Sequence, residues 1–485
     1  MPQFLRTCSS YTGASMETAG PKLSQLAPDA TRKLAEFTAG LKFSDLPPAV
    51  VAHAKVLALD SIGCCLYGAT LPWTKKLMDM VKDEGGAARS TVFGGGFKSS
   101  ASQAVLVNST AGHAFESDDM HKASLFHPGS ICLPVALACA EAEGGRSGRD
   151  VITSMVAGYE VGTRVGMAAT MGLFFRGWHP QGTSGTFVSG ASAANMLRLN
   201  ADQTQDALGI AATQCSGLMS AQEGAMVKRM HSGRAAQSGV YGALLARRGF
   251  TGIKNVVEAD FGGFLSTLSD KHDTPKITGG LGSEWETLNV GYKLFSSVAS
   301  IQSALDGLRQ IMRDNQLKAD DITRIETGLS TMTHVHCAWE YKSQGVTAAQ
   351  MNLYFGLAAI AIDGDAFVEQ YREDRLKDPK ILDFIKRIEA TAEKEIDDMG
   401  PLFRHAARLT VHTKDGRKIF KEVLHRLGSP ENPATEDEVY RKFGILTRHC
   451  LSDAQRNELI ALVRDLDKLD DLGRLTAILA AARAN

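Results

Sequence analysis

Titratable side chains are concentrated in one short stretch of the chain, AFESDDMHKASLFHPGS. Five of them fall within twelve residues: Glu116, Asp118, Asp119, His121 and His127. Two later segments contain further candidates, His179 in GWHPQGTSG and Lys228 with His231 in MVKRMHSGRAA. Histidine has an ordinary pKa of about 6.5 and suits acid–base work, whereas lysine supplies positive charge. These residue types predict one pocket, formed by the three segments, that binds a small polycarboxylate.

The overall composition argues against several classes of partner. The 485 residues include 53 lysines and arginines against 54 aspartates and glutamates, so the net charge is −1. Such a chain offers no electrostatic reason to expect nucleic acid or an anionic membrane surface as a partner. Any anion must therefore be held by a local cluster of cations. No uninterrupted apolar run reaches the ~20 residues of a membrane-spanning helix, which argues against a membrane protein.

The cysteines and the glycine-rich segments give no sign of a metal or nucleotide site. The eight cysteines form no CxxC pair, and no set of cysteines and histidines has zinc spacing. FGGGFKSS (93–100) lacks the register of a phosphate-binding loop, and we interpret it as a turn into the next helix. Scattered cysteines of this kind are typical of a reduced, intracellular protein.

The N-terminus, residues 1–24, is interpreted as a flexible arm. Its first 22 residues lack the hydrophobic core of a secretory signal, so a cytoplasmic location is expected. The same residues are rich in serine and threonine and contain one arginine before Glu17, which leaves an organellar presequence as the alternative.

Helical periodicity dominates residues 25–270, which are interpreted as a large helical domain. Its later helices are expected at about 130–144, 148–169, 183–198, 202–218 and 231–249. These segments are rich in alanine, glycine and serine, and such small residues allow helices to approach closely. The sequence therefore predicts a tightly packed helical body.

Residues 271–428 are predicted to form a smaller α+β domain, which we call the lid. DITRIETGLST (321–331) alternates like a strand, and RLTVHTKDGRKIFKEVLH (408–425) has a hairpin pattern with Asp415-Gly416 at its turn. Helices are predicted in this part at 296–313, 346–372 and 380–395. Residues 429–485 are helical again and are expected to pack back on the helical domain. The predicted fold class is thus mainly α, with an α+β lid inserted into a helical domain.

Four segments together resemble the MmgE/PrpD family: ESDDMH with HPGS, GWHP, DALGIAATQCSGLMSAQ and MVKRMHSGRAA. That family contains 2-methylcitrate dehydratases, cis-aconitate decarboxylases and iminodisuccinate epimerases. The GLMSAQ and MVKR runs, the DD-x-H spacing and an HCxW motif (336–339) are most similar to its fungal decarboxylase branch. The resemblance implies the same two-part fold, a homodimer, a small di- or tricarboxylic acid as substrate, and no metal or organic cofactor.

The resemblance also implies roles for individual residues. Four are implied to be catalytic: His127, His179, Lys228 and Lys293. Six more are implied to bind the substrate or to position those groups: Glu116, Asp119, Met120, His121, His231 and Tyr341. His127 is the expected general acid or base, and Lys228 the expected partner of a substrate carboxylate. His231 either binds substrate or orients the lysine.

Each assignment has a structural alternative. His127 precedes Pro128-Gly129 and could merely cap a helix, and His179 could be an ordinary loop residue. A lone lysine is usually solvated, although Lys228 lies between two methionines. Many relatives have a histidine a few residues after the position of Lys293, where this chain has Ser-Ser-Val.

The reaction also has alternatives. Decarboxylation of cis-aconitate or a close analogue is the leading hypothesis, and dehydration of a citrate-like hydroxy acid is the second. An epimerase or isomerase needs only the removal and return of a proton, which the same residues could perform. Met120 stands where dehydratases have threonine, and this disfavours 2-methylcitrate. A non-catalytic binding protein is the least favoured reading, because the polar set is present as a whole.

Overall fold

The computed structural model describes residues 21–483, most of which are helical. The helices before residue 280 are α1 (Leu23–Leu26), α2 (Ala30–Gly40), α3 (Pro48–Ala69), α4 (Pro72–Glu84), α5 (Ala101–Gly112), α6 (Gly129–Glu143), α7 (Gly148–Phe175), α8 (Gly185–Met196), α9 (Ala201–Ala212), α10 (Val227–Ala246), α11 (Phe264–Leu268) and α12 (Pro275–Thr278). The later helices are α13 (Gln302–Asp314), α14 (Thr331–Cys337), α15 (Val346–Gln350), α16 (Leu353–Asp363), α17 (Pro379–Ile385), α18 (Lys394–Asp398), α19 (Glu436–Thr447), α20 (Asp453–Arg464) and α21 (Gly473–Ala481). The strands are β1 (Ser90–Val92), β2 (Phe97–Ser99), β3 (Met120–His121), β4 (Val290–Gly291), β5 (Ile322–Leu329), β6 (Ile388–Ala392), β7 (Ala407–Thr413) and β8 (Lys418–Val423). Residues 1–20 of the predicted arm, and with them the presequence alternative, lie outside the described residues.

Helices α3 and α5–α10 form the body of the helical domain, and their small residues set how closely they pack. A Cβ atom added to Gly233 of α10 would lie 2.3 Å from the backbone oxygen of Leu106 in α5. One added to Gly239 would lie 2.1 Å from the Ser189 hydroxyl of α8. Larger residues at either position would push α10 away from its neighbours, and α10 begins with the predicted substrate lysine.

The C-terminal helices α19–α21 pack against the helical domain. Phe443 and Leu459 lie in the same apolar core as Leu57 of α3 and Val135 of α6. A buried ion pair reinforces this contact, because the Lys442 ammonium lies 2.5 Å from the Asp60 carboxylate. The same ammonium donates a hydrogen bond to the backbone oxygen of Ser117, which ties the tail to the acidic segment.

The lid has its own core and a mixed sheet of four strands in the order β6-β5-β7-β8. Strand β5 pairs parallel with β6 and antiparallel with β7, and β7 and β8 form the predicted hairpin. Gly416 takes the turn with a positive φ of 85°. Leu305 and Leu308 of α13 pack on the sheet residues Leu409 and Val411 in a fully buried layer. The predicted fold class, a helical domain with a smaller α+β domain, is confirmed.

The chain crosses between the two domains at two adjacent points. Residues 271–291 stay with the helical domain: Ile277 lies in its core, and the Thr287 N–H donates to Glu160 at 2.8 Å. The first crossing is thus near Tyr292, later than the predicted boundary at 271. The second crossing is at Gly428. The Tyr292 N–H donates a hydrogen bond of 2.7 Å to the backbone oxygen of Gly428, so the two crossings are adjacent.

Two local predictions were wrong. Residues 388–392 were predicted within a helix, but they form β6, because pairing with β5 supplies the backbone partners that local propensity does not reveal. The predicted helix 346–372 is broken into α15 and α16, with Asn352 capping the second.

The segment FGGGFKSS (93–100) forms a turn, as predicted, and then strand β2 before α5 begins at Ala101. The pairing of β2 with β1 was not predicted.

Helix α3 passes the length and composition test for a membrane-spanning helix, with a mean hydropathy of 1.6 over its most apolar window. The search of the sequence for an uninterrupted apolar run did not find this helix, because charged residues such as Asp60 lie between its apolar ones. In the structure, 67% of that window is buried, and its apolar side chains fill the core of the helical domain. This burial is typical of a core helix.

Candidate active site

A cavity lies between the helical domain and the lid, and it brings together much of the predicted site. Its floor is formed by residues of the helical domain and the first crossing: Glu116, Met120, Leu125, His127, Phe174, His179, Pro180, Met219, Gln222, Lys228 and Lys293. The lid supplies the opposite face: Val298, Ala299, Ser300, Met332, His336, Met351, Arg404 and His405. All four residues that were predicted to be catalytic line this one cavity.

The acidic segment between α5 and α6 has an unusual backbone. Glu116 and Leu125 both have left-handed φ angles, 54° and 61°, although neither is a glycine. Side chains with a Cβ adopt this conformation at a cost, and such strain is often found where a side chain must be aimed at a ligand. Both residues line the cavity.

Asp119 holds this segment in place from behind. Its carboxyl group accepts hydrogen bonds from the Gly129 N–H at 3.0 Å, at the start of α6, and from the Tyr159 hydroxyl at 2.9 Å. Burial, and after it the nearby carboxylates of Asp118 and Asp60, raise the pKa of Asp119 to about 8, against the opposing hydrogen bonds from Tyr159 and Gly129. Asp119 is not among the residues that line the cavity.

Glu116 is surrounded by three buried cations. Its Oε1 accepts hydrogen bonds from the Lys228 ammonium and, at 2.7 Å, from the Arg229 guanidinium. Its Oε2 accepts one from the Lys293 ammonium at 3.0 Å. Burial alone would raise the pKa of Glu116, but attraction to Lys228, Lys293 and Arg229 outweighs this and holds the pKa well below its usual range. Asp118 lies further off, 3.9 Å from Lys293, so three cations face two carboxylates, and the excess of positive charge favours an anion.

Lys228 holds its proton less firmly than an ordinary lysine does. Burial lowers its pKa to about 8, and the neighbouring Arg229 and Lys293 lower it too, although Glu116 opposes them. A buried lysine of this kind can release or take up a proton near neutral pH.

Four histidines form a connected cluster beside these cations. The ring of His113 lies 5.1 Å from that of His127 and 5.7 Å from that of His179. His113 Nδ1–H donates to Asp118 at 2.8 Å, and His179 and His231 share a hydrogen bond between their Nδ1 atoms at 2.8 Å. His127 Nδ1 lies 2.5 Å from the backbone oxygen of Asp119. Because a carbonyl only accepts, Nδ1 of His127 carries the proton and Nε2 is left as a free base.

The histidines are neutral in this state. Burial lowers the pKa of His127 to about 3, against the opposing attraction of Asp118. Burial and the charge of Lys228 lower the pKa of His231 to about 4. Burial and neighbouring groups likewise place the pKa values of His113 and His179 well below the usual range. The cluster can therefore accept protons when an anion enters.

Besides Asp119, three of the other predicted residues lie outside the lining of the cavity. His121 Nε2–H donates to the Glu286 carboxylate at 3.1 Å, its Nδ1 accepts from the Ser124 hydroxyl at 2.8 Å, and it faces a neighbouring cavity. Tyr341 donates to the backbone oxygen of Leu376 at 3.1 Å. His231 reaches the site only through His179. Their placement indicates supporting roles, and for Tyr341 a role in the lid core.

Sequence reasoning missed several side chains of the site. His113 lies three residues before Glu116, and this proximity was an available signal. Arg229, next to Lys228, was a second. Arg404 and His405 precede the β7 strand and carry no motif, so only the folded lid reveals them.

One group of side chains has the spacing of a metal site. Ligand atoms of His113, Asp118 and His127 lie within 4.8 Å of one another. The Lys293 ammonium is already 3.9 Å from Asp118 Oδ1, and Lys228 and Arg229 lie close by. These fixed positive charges oppose the binding of a further cation and favour an anion.

Comparison with known proteins agrees with this geometry. Residues 32–276 match the model of the MmgE/PrpD N-terminal domain, and residues 295–468 match that of the C-terminal domain. A cis-aconitate decarboxylase of Aspergillus terreus is 32% identical over 471 residues, covering 93% of this chain and 95% of the relative. The cis-aconitate decarboxylase-like protein oryM of Aspergillus oryzae is 31% identical, with 93% and 97% covered. The human cis-aconitate decarboxylase is 26% identical, with 93% and 94% covered. The chain belongs to the MmgE/PrpD family.

Proposed function

We propose that the protein is a cofactor-independent lyase that decarboxylates cis-aconitate, or a close analogue, to itaconate. The observation that carries this proposal is the arrangement of three buried cations around the carboxylate of Glu116, next to neutral histidines. Such a site attracts a polyanion and can supply a proton to it. Relatives named cis-aconitate decarboxylases, 31–32% identical over nearly the whole chain, support the choice of substrate.

The chemistry of this substrate matches the site. cis-Aconitate has one carboxylate on an sp³ carbon next to its double bond. When that C–C bond breaks, CO₂ leaves, and the electron pair delocalises across the allyl group to the carbon that bears the other terminal carboxylate. A C–H bond then forms at that carbon, which moves the double bond to the chain end. One proton is consumed, and no oxidant or reductant is needed.

The floor residues divide this work between charge and proton transfer. Lys228 and Lys293 stabilise the carboxylate on which negative charge accumulates as the C–C bond breaks. His127 is the proposed proton donor. It is neutral in the free site, but a bound polyanion favours its charged form, so His127 takes up a proton as substrate binds. His179, paired with His231, is the second proposed acid–base group.

The alternatives named above use the same cavity. Dehydration of a citrate-like acid would need the proton donor to act on a hydroxyl group, and the apolar Met120 in the lining offers that hydroxyl no hydrogen bond. Epimerisation would need proton return to the opposite face. A non-catalytic binding protein would use only the cations.

Proton NMR of the purified protein with cis-aconitate tests the proposal, before and after EDTA treatment. New vinylidene signals of itaconate that survive the chelator are the expected result. A His127→Ala protein, purified in the same way, controls for contaminating host enzymes and should give no signals. If cis-aconitate is left unchanged, the proposal is wrong, and 2-methylcitrate and then iminodisuccinate test the dehydratase and epimerase alternatives.

The oligomeric state and the location in the cell stay predictions. Light scattering of the purified protein tests the homodimer. Imaging of the full chain with a C-terminal tag tests the cytoplasmic location.

A further inference from the structure

The two faces of the cavity differ in how their cations are paired. Lys228 and Lys293 on the floor are both bonded to Glu116. Arg404 is the cation on the lid face, and among the side chains that the structure describes no carboxylate lies within 4.0 Å of its guanidinium group. Arg404 thus lies opposite the floor of a site for a polyanion, and it is a cation without an anionic partner.

The hydrogen bonds of Arg404 are incomplete. Its Nη2 donates to the backbone oxygen of Lys122 at 2.7 Å, and its Nη1 makes a long contact of 3.4 Å with the oxygen of Pro401. Its Nε is buried and has no partner. Burial lowers the pKa of Arg404 to about 10, which leaves it charged at neutral pH. A buried guanidinium with an unused donor is costly unless a ligand completes it.

Arg404 also stands where the cavity meets its neighbour. A second cavity, which we call the outer cavity, shares Leu125 and Arg404 with the active site. Its other charged residues are two lysines and three acids: Lys122, Lys276, Asp273, Glu286 and Glu431. A polyanion that passes through the outer cavity meets Arg404 before the floor lysines.

We propose that Arg404 binds a second carboxylate of the substrate and selects tricarboxylates over dicarboxylates. This inference rests on the proposed function and adds to it the residue that determines the substrate class. The floor cations hold one end of the molecule, and the planar guanidinium of Arg404, with its unused Nε–H, holds a carboxylate across the cavity. A ligand without that carboxylate gains nothing from Arg404.

Isothermal titration calorimetry with unreactive analogues tests this proposal. The ligands are tricarballylate, which has three carboxylates on a saturated chain, and the two acids that each lack one of them, glutarate and methylsuccinate. The variant Arg404→Gln removes the charge but keeps a donor for the Lys122 oxygen, so it separates ligand binding from the attachment of the lid loop. Arg408→Ala is the matched control, because Arg408 is paired with Glu422 at 2.7 Å and lies outside the cavity lining.

We expect Arg404→Gln to weaken tricarballylate binding at least tenfold, and to weaken at least one of the two dicarboxylates less than threefold. Arg404→Lys should recover part of the loss, and Arg408→Ala should change none of the affinities. Equal losses for all three ligands, an unchanged affinity for tricarballylate, or a wild-type protein that binds none of them would overturn the proposal. Turnover of cis-aconitate is measured separately. Selective loss in binding without decarboxylation would leave Arg404 as proposed and refute the reaction.

Discussion

The floor of the cavity and its lid face differ in how their charged groups are paired. On the floor, Glu116 pairs with three cations and His179 bonds to His231, so these lining groups have partners without a ligand, although His113 Nε2 and Asp118 Oδ1 behind them are buried without one. On the lid face, Arg404 Nε and His336 Nε2 are buried without hydrogen-bond partners. The floor is therefore ready for chemistry when the protein has folded, and the lid face is completed only by what binds to it.

The largest expected effect is on turnover, and it is tested by replacing one histidine from each face. His127→Ala should lower kcat by about 10²–10⁴, because it removes the proposed proton donor. His336→Ala should act mainly on KM, since His336 lines the cavity from the lid face and no proton transfer is assigned to it. Steady-state kinetics with cis-aconitate measures both. If the two variants lose kcat equally, the division of labour between the faces is wrong.

The second effect concerns stability and tests whether the floor depends on the carboxylate of Glu116. Glu116→Gln removes the one carboxylate that all three buried cations share and leaves only Asp118, 3.9 Å from Lys293, so we expect a loss of about 3–5 kcal/mol in the free energy of unfolding. Urea denaturation measures this, and saturating tricarballylate should restore part of the loss. The control is Glu422→Gln, which breaks a partly exposed pair with Arg408 and should cost about 1 kcal/mol or less. A loss no larger than that of the control would contradict the prediction.

The third effect is on pH dependence. The pKa of Lys228 is lowered to about 8, so its positive charge is present below that pH and is lost above it. We expect kcat/KM to fall as the pH rises through about 8, because this parameter reports the free enzyme. An arginine stays charged throughout, so Lys228→Arg should move the fall to higher pH even if its activity is lower. The same alkaline limit in both proteins would exclude Lys228 as its origin.

The smallest effect concerns Asp119, the acid behind the floor. Its pKa is raised from 3.8 to about 8, so the folded protein keeps a proton that the unfolded chain loses above about pH 4. Unfolding then releases a proton, and this group's contribution to stability falls as the pH rises from about 4 to about 8. Asp119→Asn cannot ionise, so its melting temperature should decline less than that of the wild type between pH 5 and pH 8. Parallel curves for the two proteins would show that Asp119 is ionised in the fold.

The same contrast separates what the sequence could predict from what it could not. Glu116, His127, His179, Lys228 and Lys293 lie in segments with recognisable types and spacing, and the structure brings all five to one cavity. Arg404 lies some 280 residues after the acidic segment, and only the packing of the lid places it against Lys122. Strand β6 was missed for the same physical reason, since its pairing with β5 is a long-range contact that a local pattern does not contain.

The two adjacent chain crossings have a consequence for motion. Strand β4 is paired to β3 on the floor, and Ser296 is already bonded to Ala366 of the lid, so the first crossing is confined to residues 292–295, of which Tyr292 packs in the core of the helical domain and Phe295 in that of the lid. The second crossing is hydrogen-bonded to the first, from the Tyr292 N–H to the Gly428 oxygen. The two chains are so close here that a Cβ atom on Gly428 would lie 2.6 Å from the backbone oxygen of Tyr292. The two crossings thus lie side by side, and a rotation of the lid would have its axis at this short segment. Lys293 lies on that axis and would stay with the floor, whereas Arg404 would move with the lid. Opening would therefore separate the two ends of the binding site.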